Sequence, residues 1–314
     1  METPNPIRQN RNVFGEQAAV YCFKARAQRH HCLGYGTFSV DHDSLERYRK
    51  EYSRSVRPIT YVPLYVKATA LAIQRNPEAN AMLFKKLFGL RIVQFENVDV
   101  NLPITRMIGD RPVTFIGTVR NAAKKSLAEI QQDLANYQKC DPDHSFAIRR
   151  FERFARMPLW KIRLVQWRMM RDPDFYIRSI GTCGVTFLEG EWGEHMFPIA
   201  PMGVVFGIGG TRSEPLVQEN VITAGRVLKC TLMVDNYIIP GLTASRLVKD
   251  FKELLESGSF VLDELNGIAG CCAKPSSAST SASRLKKTSC TSTNSSTSGT
   301  AAFSLLSLDG RGLR

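Results

Sequence analysis

The sequence predicts an α/β layered fold, on three observations. Residues 227–234 alternate, with Val227, Lys229 and Thr231 against Leu228, Cys230 and Leu232, the period-two pattern of a half-buried strand. Just beyond, Ala244, Leu247, Val248, Phe251, Leu254 and Leu255 recur at the i, i+3, i+4, i+7 spacing of a helix with one core-facing stripe. Segments of both kinds follow one another closely along the chain, and such interleaving requires strands and helices to share layers. With 314 residues and 43% hydrophobic composition, one large domain can bury its own core.

The elements follow in order. Residues 61–75 form an apolar helix that Asn76-Pro77 stops, because the residue before a proline is driven out of the helical region. Residues 92–100 and 113–119 read as strands, and 126–137 as a polar amphipathic helix. Thr243 is the expected N-cap of the last amphipathic helix.

Several classes are excluded. No apolar run approaches the length that spans a bilayer, and Met-Glu-Thr-Pro-Asn-Pro at the start lacks the regions of a signal peptide, so a cytoplasmic location is expected. Eight cysteines are scattered, with only Cys271 and Cys272 adjacent, which gives neither a disulfide framework nor a zinc-ligand spacing. No metal site is expected, and Cys183 and Cys230, with no base beside them in sequence, read as buried structural thiols.

A set of ordered blocks resembles the catalytic domain of the dihydrolipoamide acyltransferases of 2-oxo acid dehydrogenase complexes. The blocks are Phe38-Ser39-Val40-Asp41 before a charged helix, Lys67-Ala68, Pro77-Glu78-Ala79-Asn80-Ala81, Arg120-Asn121-Ala122 with the stretch to Ile130, Gly181-Thr182-Cys183-Gly184-Val185-Thr186, and His195-Met196-Phe197-Pro198-Ile199. The last block is the turn Asp235-Asn236-Tyr237-Ile238-Ile239-Pro240-Gly241, where that family reads Asp-His-Arg-x-x-Asp-Gly. The similarity covers roughly residues 20–262, and an ordered series of blocks is far more specific than one short motif. It implies a chloramphenicol acetyltransferase-like fold, a mixed sheet with flanking helices, assembled as a homotrimer with active sites at subunit boundaries.

The chemistry carries over unevenly. In the family, the turn histidine takes the proton of the attacking thiol, the aspartate four residues on holds the turn, and a strand hydroxyl donates to the tetrahedral oxyanion. Thr186 keeps the hydroxyl, whereas the histidine position is Asn236, which cannot exchange a proton near neutrality, and the aspartate position is Pro240. Losing a positioned base removes a factor of roughly 10² to 10⁴ in rate. Asp235, Tyr237 and Gly241 are the expected substrate-binding residues of the turn. His30 or His31, delivered by a neighbouring subunit, and His195 are the candidates for a substitute base; for each, a packing or surface role carries more weight.

The basic balance, 42 Lys plus Arg against 29 Asp plus Glu, is partly local. Between 146 and 171, Arg149, Arg150, Arg153, Arg156, Lys161, Arg163, Arg168 and Arg171 interleave with Phe151, Phe154, Leu159, Trp160, Ile162, Leu164 and Trp167. This mix fits an anionic membrane surface or an acidic partner, or else a domain helix with solvated arginines. No nucleic-acid motif accompanies it. Some of the charge suits coenzyme A phosphates, coenzyme A being expected as a substrate in acyl-thioester form.

Three regions are expected: an arm at 1–19, the acyltransferase-like domain at 20–262, and a Ser/Thr-rich tail at 263–314 too poor in apolar residues to order itself. The arm is too short for a lipoyl domain, so none is expected in this chain. Three functions compete: acyl transfer from coenzyme A or carrier thioesters with an altered or weakened site, an inactive homologue acting as a ligand-binding, regulatory or scaffolding subunit, and a peripheral membrane or partner-binding protein that keeps only the fold.

Overall fold

The computed structural model describes residues 31–86, 88–108, 111–139, 153, 156–187, 194–218 and 221–272. Strand β1 is Leu33–Asp41, the hairpin strands are β2 Ala81–Lys85 and β3 Leu90–Gln94, and then come β4 Val100–Ile108, β5 Arg111–Val119, β6 Cys183–Phe187, β7 Val204–Gln218 and β8 Val221–Asp235. The helices are α1 His42–Ser55, α2 Tyr61–Arg75, α3 Leu127–Lys139, α4 Leu159–Met169, α5 Pro173–Ser179, α6 Gly241–Ser257 and α7 Ser259–Cys272. Six strands form one mixed sheet in the order β1-β8-β7-β6-β4-β5, and β2 with β3 stands apart as a two-stranded ribbon. β6 runs parallel to both neighbours, and the other pairs are antiparallel. This is the expected mixed sheet with flanking helices.

Side-chain alternation divides the sheet into two faces. Val40, Val100, Leu102, Val185, Val204, Phe206, Ile208, Leu228, Cys230, Leu232 and Val234 join the main core, together with Leu64, Ile73, Leu247, Phe251 and Leu255 from α2 and α6. Phe206 stacks on Phe251 at 4.1 Å between centroids, tying the sheet to α6. On the other face Val205 and Met233 pack with Met82 and Phe84 from the ribbon, Met169 and Tyr176 from the α4–α5 pair, and Met202 just before β7. The end of β8 is therefore buried on both sides: Thr231, Met233 and Asp235 are as inaccessible as Cys230, Leu232 and Val234. The half-buried strand read from its alternation is corrected there, since period-two patterning describes one covered face and this segment has two.

Other boundaries match or shift for local reasons. α2 ends at Arg75, before Asn76-Pro77, as expected. The strand expected at 92–100 is broken, with β3 ending at Gln94 and β4 starting at Val100 in a different sheet. Ser126 caps α3 reciprocally with Glu129, each accepting from the other's backbone N–H. Thr243 is not an N-cap: Pro240 occupies that position, and the Thr243 hydroxyl, inside the first turn, donates to Glu78. Order also continues past the expected boundary at 262. α7 runs to Cys272, with Phe260 and Val261 buried and Glu264 accepting from Tyr52 and from the Leu127 N–H.

Candidate functional site: the open sheet face and the turn after β8

Pairing registers place Thr37, Thr231, Gly207 and Thr186 in one row across β1, β8, β7 and β6, all on the face away from α2 and α6. Thr186 is half-buried, and among the described residues its hydroxyl has no hydrogen-bond partner. The hydroxyl of Thr231 is buried and also without a partner. Residues 194–198 cross this face over the glycines of β7. A Cβ on Gly207 would lie 2.8 Å from the Met196 carbonyl oxygen, and one on Gly209 would lie 2.2 Å from that of Glu194. The crossing segment is tied to β1 by Tyr35, whose hydroxyl donates to the Pro198 carbonyl at 2.9 Å and whose ring meets Phe197 edge-on. His195, within this segment, has a buried Nδ1 with no partner among the described residues. Toward β1 the face is open, with Tyr35 and Thr37 exposed.

The turn lies elsewhere. Thr186 and Thr231 are two strands apart, and Asn236 is five residues further along β8, so spacings of ~4.8 Å between strands and ~3.3 Å per residue separate Thr186 from Asn236 by roughly 20 Å. One chain does not unite them. Asn236 is exposed, its N–H donates to the Cys32 carbonyl at 2.8 Å, and its amide lies against Gly34, where a Cβ would come within 2.4 Å of Nδ2. A side chain at 34 would expel it. Tyr237 is 65% exposed. Pro240 is exposed, and the space over Gly241 is open.

Asp235 is the buried hub of the turn. Its Oδ1 accepts from the backbone N–H groups of Cys32 and Tyr237, each at 3.1 Å, and its Oδ2 lies 2.6 Å from Nδ1 of His31. Both side chains are fully buried. His31 thus reaches the turn within its own chain, not from a neighbouring subunit. No sequence signal links two residues 204 apart. His30 lies outside the described residues.

Cys183 and Cys230 are buried, as expected of structural thiols, and burial raises the pKa of each thiol. Arg120-Asn121 forms a turn locked to Asp99, whose carboxylate accepts from the Arg120 guanidinium and the Asn121 N–H, each at 2.7 Å. Among the described residues no cluster of His, Cys, Asp or Glu fits a metal ion, and no helix is long and apolar enough to cross a membrane.

The basic segment is seen in part, since Arg149, Arg150, Phe151 and Phe154 lie outside the described residues. α4 buries Ile162, Gln166 and Met169. Its opposite side exposes Trp160, Leu164 and Trp167 by 63%, 56% and 48%. Lys161 lies over the Trp160 ring and Arg171 over that of Trp167. The β2–β3 ribbon adjoins it through the Lys85 N–H to Met170 carbonyl bond and exposes Phe88, Leu90 and Ile92.

Residues 25–149 match the family model of the 2-oxoacid dehydrogenases acyltransferase (catalytic domain). Over that stretch the chain is similar to these acyltransferases. It is 23% identical over 231 residues to the dihydrolipoyllysine-residue acetyltransferase component of the pyruvate dehydrogenase complex of Bacillus subtilis, covering 72% of this chain and 45% of the relative. It is 22% identical over 240 residues to the mitochondrial lipoamide acyltransferase component of the branched-chain alpha-keto acid dehydrogenase complex of Caenorhabditis elegans, covering 74% and 46%. The chain thus spans about half the length of the curated relatives it matches. Among solved structures, Azotobacter vinelandii dihydrolipoamide acetyltransferase, studied for the catalytic roles of a serine, a histidine and an asparagine, superposes with a TM-score of 0.60 at 17% identity, covering 83% of this chain and 100% of that one. A probable dihydrolipoamide acetyltransferase from Listeria monocytogenes gives 0.58 at 17% identity, covering 79% and 94%. The fold is that of these acyltransferase domains.

Proposed function

We propose that this chain is an acyltransferase that moves an acyl group between coenzyme A, or a carrier thioester, and a second thiol through an altered active site. The observation carrying this reading is the unengaged Thr186 hydroxyl on the open face of the sheet, in a fold shared with dihydrolipoamide acetyltransferases. A hydroxyl so held is free to donate to a tetrahedral oxyanion. Thr186 and the turn after β8 are too far apart to cooperate within a chain, so a site that uses both takes them from two protomers. That supports a homotrimer with sites at its subunit boundaries. Coenzyme A is the substrate in this reading, and the location is cytoplasmic.

The test is transfer from acetyl-coenzyme A to dihydrolipoamide by the purified full chain. Turnover that falls by ~10²–10³ in Thr186→Ala supports the reading. Coenzyme A binding with no turnover toward any thiol, amine or alcohol supports the alternative, an inactive homologue serving as a ligand-binding, regulatory or scaffolding subunit. In that case Asn236→His with Pro240→Asp gains activity.

The exposed Trp160, Leu164 and Trp167 beside Lys161 and Arg171 favour an additional role, peripheral contact with an anionic membrane. Apolar side chains at interfacial depth with flanking cations combine both forces that hold a helix on such a surface. Flotation with vesicles of anionic lipid, lost in Trp160→Ala/Trp167→Ala and absent with neutral lipid, is expected. Binding to an acidic protein but not to vesicles would replace the membrane with that partner.

A further inference from the structure

We infer that His31, oriented by Asp235, is the proton acceptor of the active site, doing from the start of β1 what the position of Asn236 no longer can; this rests on the acyl-transfer reading. An ionised carboxylate is an acceptor only, so the contact of 2.6 Å between Oδ2 and Nδ1 assigns the hydrogen to Nδ1. Nε2 then carries the lone pair. That atom is buried and, among the described residues, has no hydrogen-bond partner. A buried polar atom left unpaired is costly in a native fold, and at a functional site its missing partner is a ligand group.

The pair is braced from both flanks. The Cys32 and Tyr237 N–H groups hold the other carboxylate oxygen, so Asp235 cannot swing away. Cys32, next to His31, also accepts the N–H of Asn236, so the imidazole belongs to the strand end bonded to the turn that has lost its own. Carboxylate, imidazole with a fixed tautomer and a free Nε2 form the orienter and base of a triad, recognised by geometry and not by sequence order. Pro240, where the family has its turn-holding aspartate, is compatible with this arrangement because Asp235 holds the turn through the Tyr237 N–H.

The step balances. Nε2 takes the proton of the incoming thiol, and the thiolate attacks the acyl carbonyl of the thioester. Thr186 of a neighbouring copy donates to the oxyanion. Collapse breaks the bond to the coenzyme A sulfur, which recovers the proton from Nε2, giving a new thioester and free coenzyme A. Burial keeps bulk water from Nε2.

The experiment compares acetyl transfer from acetyl-coenzyme A to dihydrolipoamide by the full chain as wild type, His31→Gln, and His31→Gln with Asn236→His. We expect kcat to fall ~10²–10⁴-fold in His31→Gln, with KM for acetyl-coenzyme A unchanged within ~2-fold. Moving the imidazole to the turn should recover at least ~10-fold of the lost rate. Wild-type rate in His31→Gln overturns the inference alone, and so does a double variant no faster than the single one. No transfer by the wild type overturns the acyl-transfer reading and this inference together. Should His31→Gln fail to fold, Asp235→Asn answers the same question: it keeps the size of the side chain but turns an N–H toward Nδ1, forcing the proton onto Nε2. Its kcat should fall ~10²–10⁴-fold, and a wild-type rate there overturns the inference.

Discussion

The two faces of the sheet are built to different ends. Against α2 and α6 the strands present an unbroken aliphatic and aromatic surface, locked by the Phe206–Phe251 stack. The opposite face carries threonines, bare glycines under residues 194–198, buried polar atoms without partners and an open edge at β1. The first face supplies stability by removing apolar surface from water. The second spends that stability on groups a folding optimum would not choose, which is where functional sites are found.

Substitutions can break this comparison. On the closed face, Phe251→Ala should cost ~3–5 kcal/mol by emptying a fully buried site, read as a lowered denaturant midpoint. Thr186→Ala on the open face should leave that midpoint within ~0.5 kcal/mol, while its transfer activity falls as stated above. Equal stability losses in the two would erase the distinction. Gly209→Ala should be intermediate at ~1–3 kcal/mol, because its new methyl meets the Glu194 carbonyl and must displace the crossing segment; proteolysis near residue 194 should accelerate.

A pH experiment sharpens the stability side. The Arg49 bond foremost, and then that of Tyr61, holds the Glu46 carboxyl below its usual 4.5, at about 2. With the folded value depressed, this contribution is fully present above pH 4.5 and is lost as pH falls through about 2. Glu46→Gln should therefore flatten the acid limb of the stability curve over that window. The smallest effect belongs to Trp160→Ala and Trp167→Ala, each within ~0.5 kcal/mol, since both rings are exposed and add little to the core. Calorimetry that found either one strongly destabilising would mean that α4 is core and not surface.

Much was legible before any coordinates. The α2 boundaries followed from an apolar run and a proline, and the α6 stripe from its spacing, because these depend on local sterics and on a single buried face. The break between β3 and β4 was not legible, because an apolar run does not say which sheet will take each half. The Thr243 cap failed for a related reason: its hydroxyl found Glu78, a partner from another part of the chain.

The sequence by itself determined the layered architecture, the kept hydroxyl at Thr186 and the amide at Asn236 where an imidazole was expected. Only the tertiary structure decided that His31 meets Asp235, that β8 is buried on both faces, and that Thr186 stands far from the turn in its own chain. Periodicity and turn chemistry are written within a few residues, whereas pairing of strand ends 204 residues apart is set by sheet register, which depends on every strand between them.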